Sequence, residues 1–292
     1  MSDVNRRTFL GGSLGTAAAP GLLATGGGAG AAGTPDRIDT HVYVSRWPFR
    51  RMDGDETPEL VAMLHRQGVT QAWTGTFDAL FHKNLSKANE RLARECEVHG
   101  KGLLLPFGAI NPKLPDWEED VRRCHEQFRM RGIRLHPNYH NYTLRDPDFA
   151  RLLRAAAERG LIVQVAAWME DERTQNPLVQ VRIVDLSPLP ALLERVPAAR
   201  VVVLNAGISV TPIEPVLAPF KRFDRVAFDF AMLEGMAHLP ALVRVVGIER
   251  VVFGSYSPMF YFESAALKMR EGDLTPEQTA AVVAGNARRL LA

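Results

Sequence analysis

The chain has 292 residues, of which 46% are hydrophobic and 23% are charged. These fractions are typical of a globular protein and exclude a disordered, collagen-like or coiled-coil chain. With 35 basic and 33 acidic residues the net charge is +2, so no basic surface for nucleic acid is indicated. Two cysteines in a chain of this length exclude a disulfide framework.

The first 32 residues have the features of an export signal. Arg6 and Arg7 precede a weakly apolar stretch rich in glycine and alanine, and Ala29-Gly30-Ala31 supplies small residues suited to cleavage. This pattern resembles a twin-arginine signal, which implies export to the periplasm by the twin-arginine machinery. The alternative is a flexible glycine-rich tail. The stretch is too short and too often interrupted by glycine and proline to span a membrane.

The residues from 33 to 292 alternate between short apolar runs and amphipathic stretches of helical period. We expect eight strands, at Ile38 to Val44, Gln71 to Thr76, Leu103 to Ile110, Gly132 to His136, Leu161 to Ala167, Arg200 to Leu204, Arg225 to Phe230 and Arg250 to Phe253. Near-continuous apolar runs are typical of parallel strands buried on both faces. The pattern therefore predicts an α/β fold with one domain, a single parallel (β/α)8 TIM barrel. The alternative is an open doubly wound sheet, which is less favoured because no glycine-rich phosphate turn follows the first strand.

Several motifs in chain order resemble the amidohydrolase-related family of the metal-dependent hydrolase superfamily. They are Ile38-Asp39-Thr40-His41, Gly132-Ile133-Arg134-Leu135-His136-Pro137, Gly254-Ser255-Tyr256-Ser257-Pro258 and the C-terminal Gly285-Asn286-Ala287-Arg288-Arg289-Leu290-Leu291. The resemblance implies a (β/α)8 barrel whose activity is hydrolysis or decarboxylation at the carboxyl ends of the strands.

The resemblance also identifies a divergence, because most of the family's metal ligands are replaced. Tyr43 stands where the second histidine of an Asp-x-His-x-His motif is expected, and Ala166 where the fifth strand carries histidine. Asn205 replaces the histidine of the sixth strand and Tyr256 the aspartate of the eighth, so that only His41 remains. A catalytic zinc needs about three strong ligands, so we expect no cofactor. Retention of zinc would require a shifted ligand set of His41, His136 and His140.

The residues at the predicted strand ends then give a candidate site. We assign acid–base catalysis to His41 and His136, whose side chains titrate near neutral pH, with Asp229 as an orienting partner. Candidate substrate-binding residues are Arg134, Tyr43, Asn205, Trp168, Glu170 and Tyr256.

For three of these candidates the pattern leaves an alternative open. Arg134 shares its parity with His136 and should point into the barrel, where it would bind a carboxylate or form a salt bridge with Asp229. Glu170 would be a base or a solvated loop charge, and His140 a site residue or a surface residue.

Two functional hypotheses follow. The first is an exported, divergent amidohydrolase-like hydrolase or decarboxylase-type lyase that acts on a small polar substrate without the usual metal. The second is a non-catalytic barrel in which Tyr43, Trp168 and Tyr256 bind a sugar or an aromatic carboxylate. A homo-oligomer is compatible with either hypothesis, since fold alone does not determine function.

Overall fold

The structure is a computed structural model that describes residues 36–292. The twin-arginine motif and its cleavage region lie outside the described residues. Within residues 36–292, no helix is both long enough and apolar enough to cross a bilayer.

Seven parallel strands form one sheet in which each strand pairs with the next along the chain. The strands are β1 (Arg37–Val44), β2 (Val69–Thr76), β3 (Leu104–Ala109), β4 (Gly132–Leu135), β5 (Ile162–Ala166), β6 (Arg200–Leu204) and β7 (Val226–Phe228). This sequential order differs from that of a doubly wound sheet, in which the order reverses at a switch point. The predicted α/β class with parallel strands is therefore confirmed.

Helices follow the strands and cover the outer face of the sheet. They are α1 (Thr57–Arg66), α2 (Leu85–Glu95), α3 (Trp117–Arg122), α4 (Pro147–Glu158), α5 (Leu189–Arg195), α6 (Val210–Leu217), α7 (His238–Val246), α8 (Phe262–Glu271), α9 (Pro276–Ala280) and α10 (Asn286–Leu291). Local chemistry explains where α4 begins, because the Asp146 side chain accepts a hydrogen bond from the backbone N–H of Asp148. The apolar face of α4 is buried and consists of Phe149, Leu152, Leu153 and Ala156.

The eighth strand expected at Arg250 to Phe253 is not a regular strand. Residues 251–257 instead make isolated bridges, Val251 with Phe228 of β7 and Ser257 with Val42 of β1. The ladder is interrupted because the Phe253 N–H donates to the carbonyl of Val282. We call residues 251–257 the seam segment, since its hydrogen bonds reach both β7 and β1.

Apolar side chains fill the amino-terminal end of the sheet. Trp73 stacks on Phe107 with ring centroids 5.0 Å apart, and Ile162 and Val202 join the same cluster. Leu290 of α10 belongs to this cluster, so the C-terminal helix packs against the end opposite the strand carboxyl ends. The polar side chains therefore lie at the opposite end of the sheet, at the carboxyl ends of the strands.

Gly132 provides a test of this packing. A Cβ atom at residue 132 would lie 2.2 Å from Phe107 Cε1 and 2.5 Å from the carbonyl oxygen of Ile162. We expect Gly132→Ala to lower the free energy of unfolding by about 1–3 kcal/mol, because the backbone of β5 cannot move without loss of pairing. Thermal unfolding measures the effect. Gly285→Ala is the control, since its nearest neighbour would be 3.4 Å away. Equal midpoints for the two variants would contradict the expectation.

Candidate functional site

The carboxyl ends of the strands and the seam segment bring several predicted residues together. His41 lies on β1, while His136, Asn205 and Asp229 directly follow β4, β6 and β7. Tyr256 lies on the seam segment beside His41. All five are buried.

His41 and Asp229 form the central pair of this site. The Nδ1 atom of His41 lies 2.5 Å from Oδ2 of Asp229, and Oδ1 of Asp229 accepts a hydrogen bond of 2.7 Å from the Asn205 N–H. The Nε2 atom of His41 is buried and has no hydrogen-bond partner among the described residues. Burial lowers the pKa of His41, and the nearby Asp229 carboxylate opposes this effect. The imidazole is therefore neutral near pH 7. Its Nδ1 atom carries the proton and donates it in a hydrogen bond to Asp229, and Nε2 is available as a base.

Asp39 is a buried carboxylic acid of the site that the candidate set does not include. Its Oδ1 atom accepts hydrogen bonds from the backbone N–H groups of His41 (3.0 Å) and Ser255 (2.9 Å). Its Oδ2 atom has no partner within residues 36–292. Burial raises the pKa of Asp39 to about 6. Its place two residues before His41 in the Ile38-Asp39-Thr40-His41 motif is the signal that could have identified it.

Two tyrosines occupy positions at which the family resemblance implies metal ligands. The Tyr256 ring stacks on the His41 ring at 4.3 Å, and its hydroxyl donates to the carbonyl of Met169 (2.6 Å). The Tyr43 hydroxyl lies 2.8 Å from His136 Nε2, and its ring stacks on Phe77 at 4.5 Å. Tyr43 thus points into the site, with one face of its ring already covered by Phe77.

The two histidines that follow β4 lie next to each other. Their ring centroids are 5.8 Å apart, and Nε2 of His140 is 2.9 Å from the carbonyl oxygen of Ala79. Both Nδ1 atoms are buried without a partner in the described part of the chain. Burial lowers the pKa of His136 well below its usual value and also lowers that of His140. His140 is 8% exposed, so its placement is that of a buried residue.

Arg134 is fully buried beneath the ring of Tyr43. Its guanidinium carbon lies 4.4 Å from the ring centroid. Its hydrogen bonds go to Gln164 and to backbone carbonyl groups, and none of these partners is Asp229. The structure therefore does not show the salt bridge considered from the sequence.

Three loops meet at the rim above these groups. Glu170, in the loop after β5, is 5% exposed and forms an ion pair with Arg50 of the loop after β1. Arg50 also contacts the sulfur of Met259 after the seam segment at 3.0 Å. Asn205 donates from Nδ2 to the carbonyl of Trp168 (2.9 Å). A cavity of about 750 Å³ adjoins this rim, with Arg50 and Met259 in its lining.

The donor set does not fit a divalent metal ion. Among the described residues, no group of three histidine, cysteine, aspartate or glutamate side chains is placed to hold one. His41 keeps a free Nε2 atom, but Nε2 of His136 faces the hydroxyl of Tyr43 and Nε2 of His140 faces the carbonyl oxygen of Ala79, so the three histidines of the shifted set do not form a site. Ala166 offers no donor atom, and a neutral amide such as that of Asn205 binds transition metals poorly.

Comparison with known proteins gives a family and several related folds. The sequence profile of the amidohydrolase family matches residues 38–292. The 5-carboxyvanillate decarboxylase LigW from Sphingomonas paucimobilis is similar in structure, with a TM-score of 0.68 and 17% identity over 88% of this chain and 99% of that chain. The 2,6-dihydroxybenzoate decarboxylase from Rhizobium gives a TM-score of 0.67 and 11% identity over 88% of this chain and 98% of that chain.

A third similar structure contains a metal ion. The 5-carboxyvanillate decarboxylase LigW2 from Novosphingobium aromaticivorans, solved with bound manganese, gives a TM-score of 0.69 and 14% identity over 90% of this chain and 98% of that chain. No curated protein matches the sequence. At these identities the solved structures establish a shared fold.

The titration of Asp39 gives a test of the site's electrostatics. Its pKa is about 6 in the folded protein and 3.8 in the ordinary reference state. The folded protein therefore binds the proton more tightly, so Asp39 favours folding at low pH and loses that contribution as pH rises from about 4 to about 6. Relative to the unchanged protein, Asp39→Asn should gain up to about 3 kcal/mol of unfolding free energy between pH 4 and pH 7. Denaturant unfolding of both proteins measures this difference, and a pH-independent difference would contradict it.

Proposed function

The chain belongs to the amidohydrolase family, and we propose that it is a decarboxylase-type lyase that acts on a small aromatic carboxylate. Decarboxylases of 5-carboxyvanillate and 2,6-dihydroxybenzoate share the fold over most of their length, which supports this reaction class. The proposal takes the sheet to close as an eight-stranded barrel, with the seam segment in the eighth position. The observation that carries the proposal is the buried His41–Asp229 pair with its unengaged Nε2 atom.

The pair is suited to moving one proton back and forth. A neutral imidazole with its Nδ1 proton held by a carboxylate presents a lone pair at Nε2. When Nε2 takes a proton, Asp229 stabilises the imidazolium without itself being protonated, as a carboxylate does beside a catalytic histidine. Tyr256 covers one face of the ring and fixes its orientation.

The reaction requires one proton carrier, and His41 is sufficient for this role. His41 takes the proton of a ring hydroxyl adjacent to the carboxylate, which makes the ring electron-rich. The imidazolium then returns the proton to the ring carbon that bears the carboxylate. The carbon–carbon bond breaks, CO₂ leaves, and the electron pair of that bond restores the aromatic phenolate, which takes up a proton from solvent.

The dryness of the site favours lyase chemistry over hydrolysis. His41, Tyr43 and Tyr256 are each 0% exposed, and the space around them is occupied by aromatic rings. Hydrolysis needs a water molecule beside the substrate, whereas loss of CO₂ from a carboxylate disperses charge and is assisted by removal of water. The same burial means that the substrate must displace rim groups in order to enter.

The rim offers a route for such entry. The Arg50–Glu170 ion pair and the Arg50–Met259 contact join three loops above the site, and the cavity of about 750 Å³ lies on their outer side. We propose that separation of these loops admits the substrate. The proposal assigns proton transfer to His41 and the orientation of its ring to Asp229, because the donor set is unsuited to a divalent ion.

One observation also favours a second candidate function, the non-catalytic barrel that binds a sugar or an aromatic carboxylate. The indole Nε1 atom of Trp168, a residue of the binding hypothesis, has no hydrogen-bond partner among the described residues, which leaves a donor for a bound ligand. The two functions can be distinguished by experiment, because a lyase converts its ligand and a binding barrel leaves it chemically unchanged.

His41→Gln separates the two functions. We expect release of CO₂ from one or more of a panel of hydroxybenzoates, with kcat lowered about 10²–10⁴-fold in this variant. Isotope-labelled carboxylate and detection of labelled CO₂ measure the reaction. His125→Gln, an exposed histidine on the outer surface, is the control and should leave kcat unchanged.

Other outcomes of this experiment would contradict the proposal. Ligands that raise the unfolding midpoint without any CO₂ release would support the binding barrel instead. Loss of activity on chelation, with recovery on adding Mn²⁺ or Zn²⁺, would contradict the assignment of proton transfer to protein groups alone.

We also propose that residues 1–32, outside the described residues, direct export to the periplasm by the twin-arginine machinery. Paired arginines are the feature that this machinery recognises. The double substitution Arg6→Lys/Arg7→Lys should cause the uncleaved precursor to accumulate in the cytoplasm. Cell fractionation and the size of the chain measure the outcome. Full export and cleavage of the double variant would contradict the proposal.

A further inference from the structure

The guanidinium of Arg134 lies in a ring of oxygen atoms at the centre of the sheet. Its Nη1 atom donates to the carbonyl of Val42 (2.7 Å), and Nη2 donates to those of Trp73 (2.8 Å) and Thr40 (3.4 Å). Its Nε atom donates to Oε1 of Gln164 (2.8 Å). One side chain on β4 therefore joins β1, β2 and β5.

An irregularity in β1 explains why carbonyl groups are available there. Asp39 pairs with Ala72 but Val42 with Thr74, so three steps along β1 correspond to two along β2. Such a bulge leaves backbone groups without ladder partners. The freed carbonyl of Thr40 accepts from Gln164 Nε2 (2.7 Å) as well as from Arg134.

The surroundings are shaped to this cation. The Tyr43 ring lies against it with the guanidinium carbon 4.4 Å from the ring centroid, a distance at which the ring attracts a cation. On β2, a Cβ atom at Gly75 would lie 2.8 Å from Nη1 and 2.9 Å from Cδ of Arg134. Glycine at position 75 therefore leaves the space that the guanidinium occupies.

The charge of Arg134 is balanced by buried acids. Burial lowers the pKa of Arg134, whereas Tyr43, Asp229 and Asp39 all act to raise it. An arginine side chain keeps its proton in proteins. The centre thus contains a permanent positive charge between carbonyl oxygens and two carboxyl groups.

We propose that the centre of this protein is a carbonyl-lined cation site that the chain fills with its own guanidinium. Arg134 supplies there the buried positive charge that a bound metal ion supplies in a protein that retains the metal ligands. It acts as a positioning residue, because it holds the bulge of β1 on which His41 lies and the ring of Tyr43 beside it. This inference stands independently of the proposed reaction.

Chemical rescue tests the site. Arg134→Ala removes the guanidinium and leaves its oxygen partners, and ethylguanidinium has the size of the deleted group. We expect the unfolding midpoint of the variant to fall below that of the unchanged protein. Ethylguanidinium about tenfold above its dissociation constant should then raise the midpoint by about 3–5 °C. Neither the unchanged protein nor Arg134→Met, which fills the space with an apolar chain, should respond.

An equal response of all three proteins to ethylguanidinium would overturn the proposal. Should Arg134→Ala fail to fold, the unchanged protein provides an independent measurement. After dialysis against chelator, isothermal titration with MnCl₂ and ZnCl₂ should give no stoichiometric binding. Stoichiometric binding that is lost in His41→Gln would show that the centre takes a metal ion, and would also overturn the proposal.

Discussion

Two buried carboxyl groups hold the first strand in place, and the rest of the site depends on this attachment. Asp229 accepts hydrogen bonds from the Asn205 N–H and from His41, and so connects the ends of β6 and β7 to β1. Asp39 accepts from the backbone of His41 and of Ser255, and so connects β1 to the seam segment. Backbone N–H groups at this irregular edge would otherwise be buried without partners, which costs more than a weak hydrogen bond contributes.

The same attachment explains why the site is both rigid and closed. A Cβ atom at Gly254 would lie 2.9 Å from Oδ2 of Asp229 and 2.9 Å from Cβ of His41, so the seam segment packs directly against the pair. Tyr256 follows two residues later in a left-handed conformation (φ 60°) and lays its ring on His41. Strain of this kind persists where the surroundings determine the conformation, as they do around an organised polar site. Access must come from the rim, where the Arg50–Glu170 ion pair and the Arg50–Met259 contact join the loops.

The sequence predicts the strands well and their closure poorly. Parallel strands buried on both faces are continuous apolar runs, so Arg200 to Leu204 could be located to the residue. Arg250 to Phe253 has the same apolar character. Apolarity does not reveal, however, whether a backbone N–H donates to a neighbouring strand or elsewhere, as the N–H of Phe253 does to the carbonyl of Val282. The parity of β4 predicts that Arg134 points inward. Its partners could not be predicted, because a backbone bulge in β1 has no signature in side-chain pattern.

The residues at the positions where the family resemblance implies metal ligands are physically linked to the placement of Arg134. Histidine in place of Tyr43 alone would remove the ring that covers the guanidinium and would place a metal ligand beside a fixed positive charge, where a divalent ion meets strong repulsion. Aspartate in place of Tyr256 alone would bury a third carboxyl group near Asp39 and Asp229, and like charges in a buried site disfavour ionisation. A metal centre would therefore require several of these positions to change together with Arg134. This interdependence accounts for a site in which aromatic rings, an amide and an internal cation occur as one set.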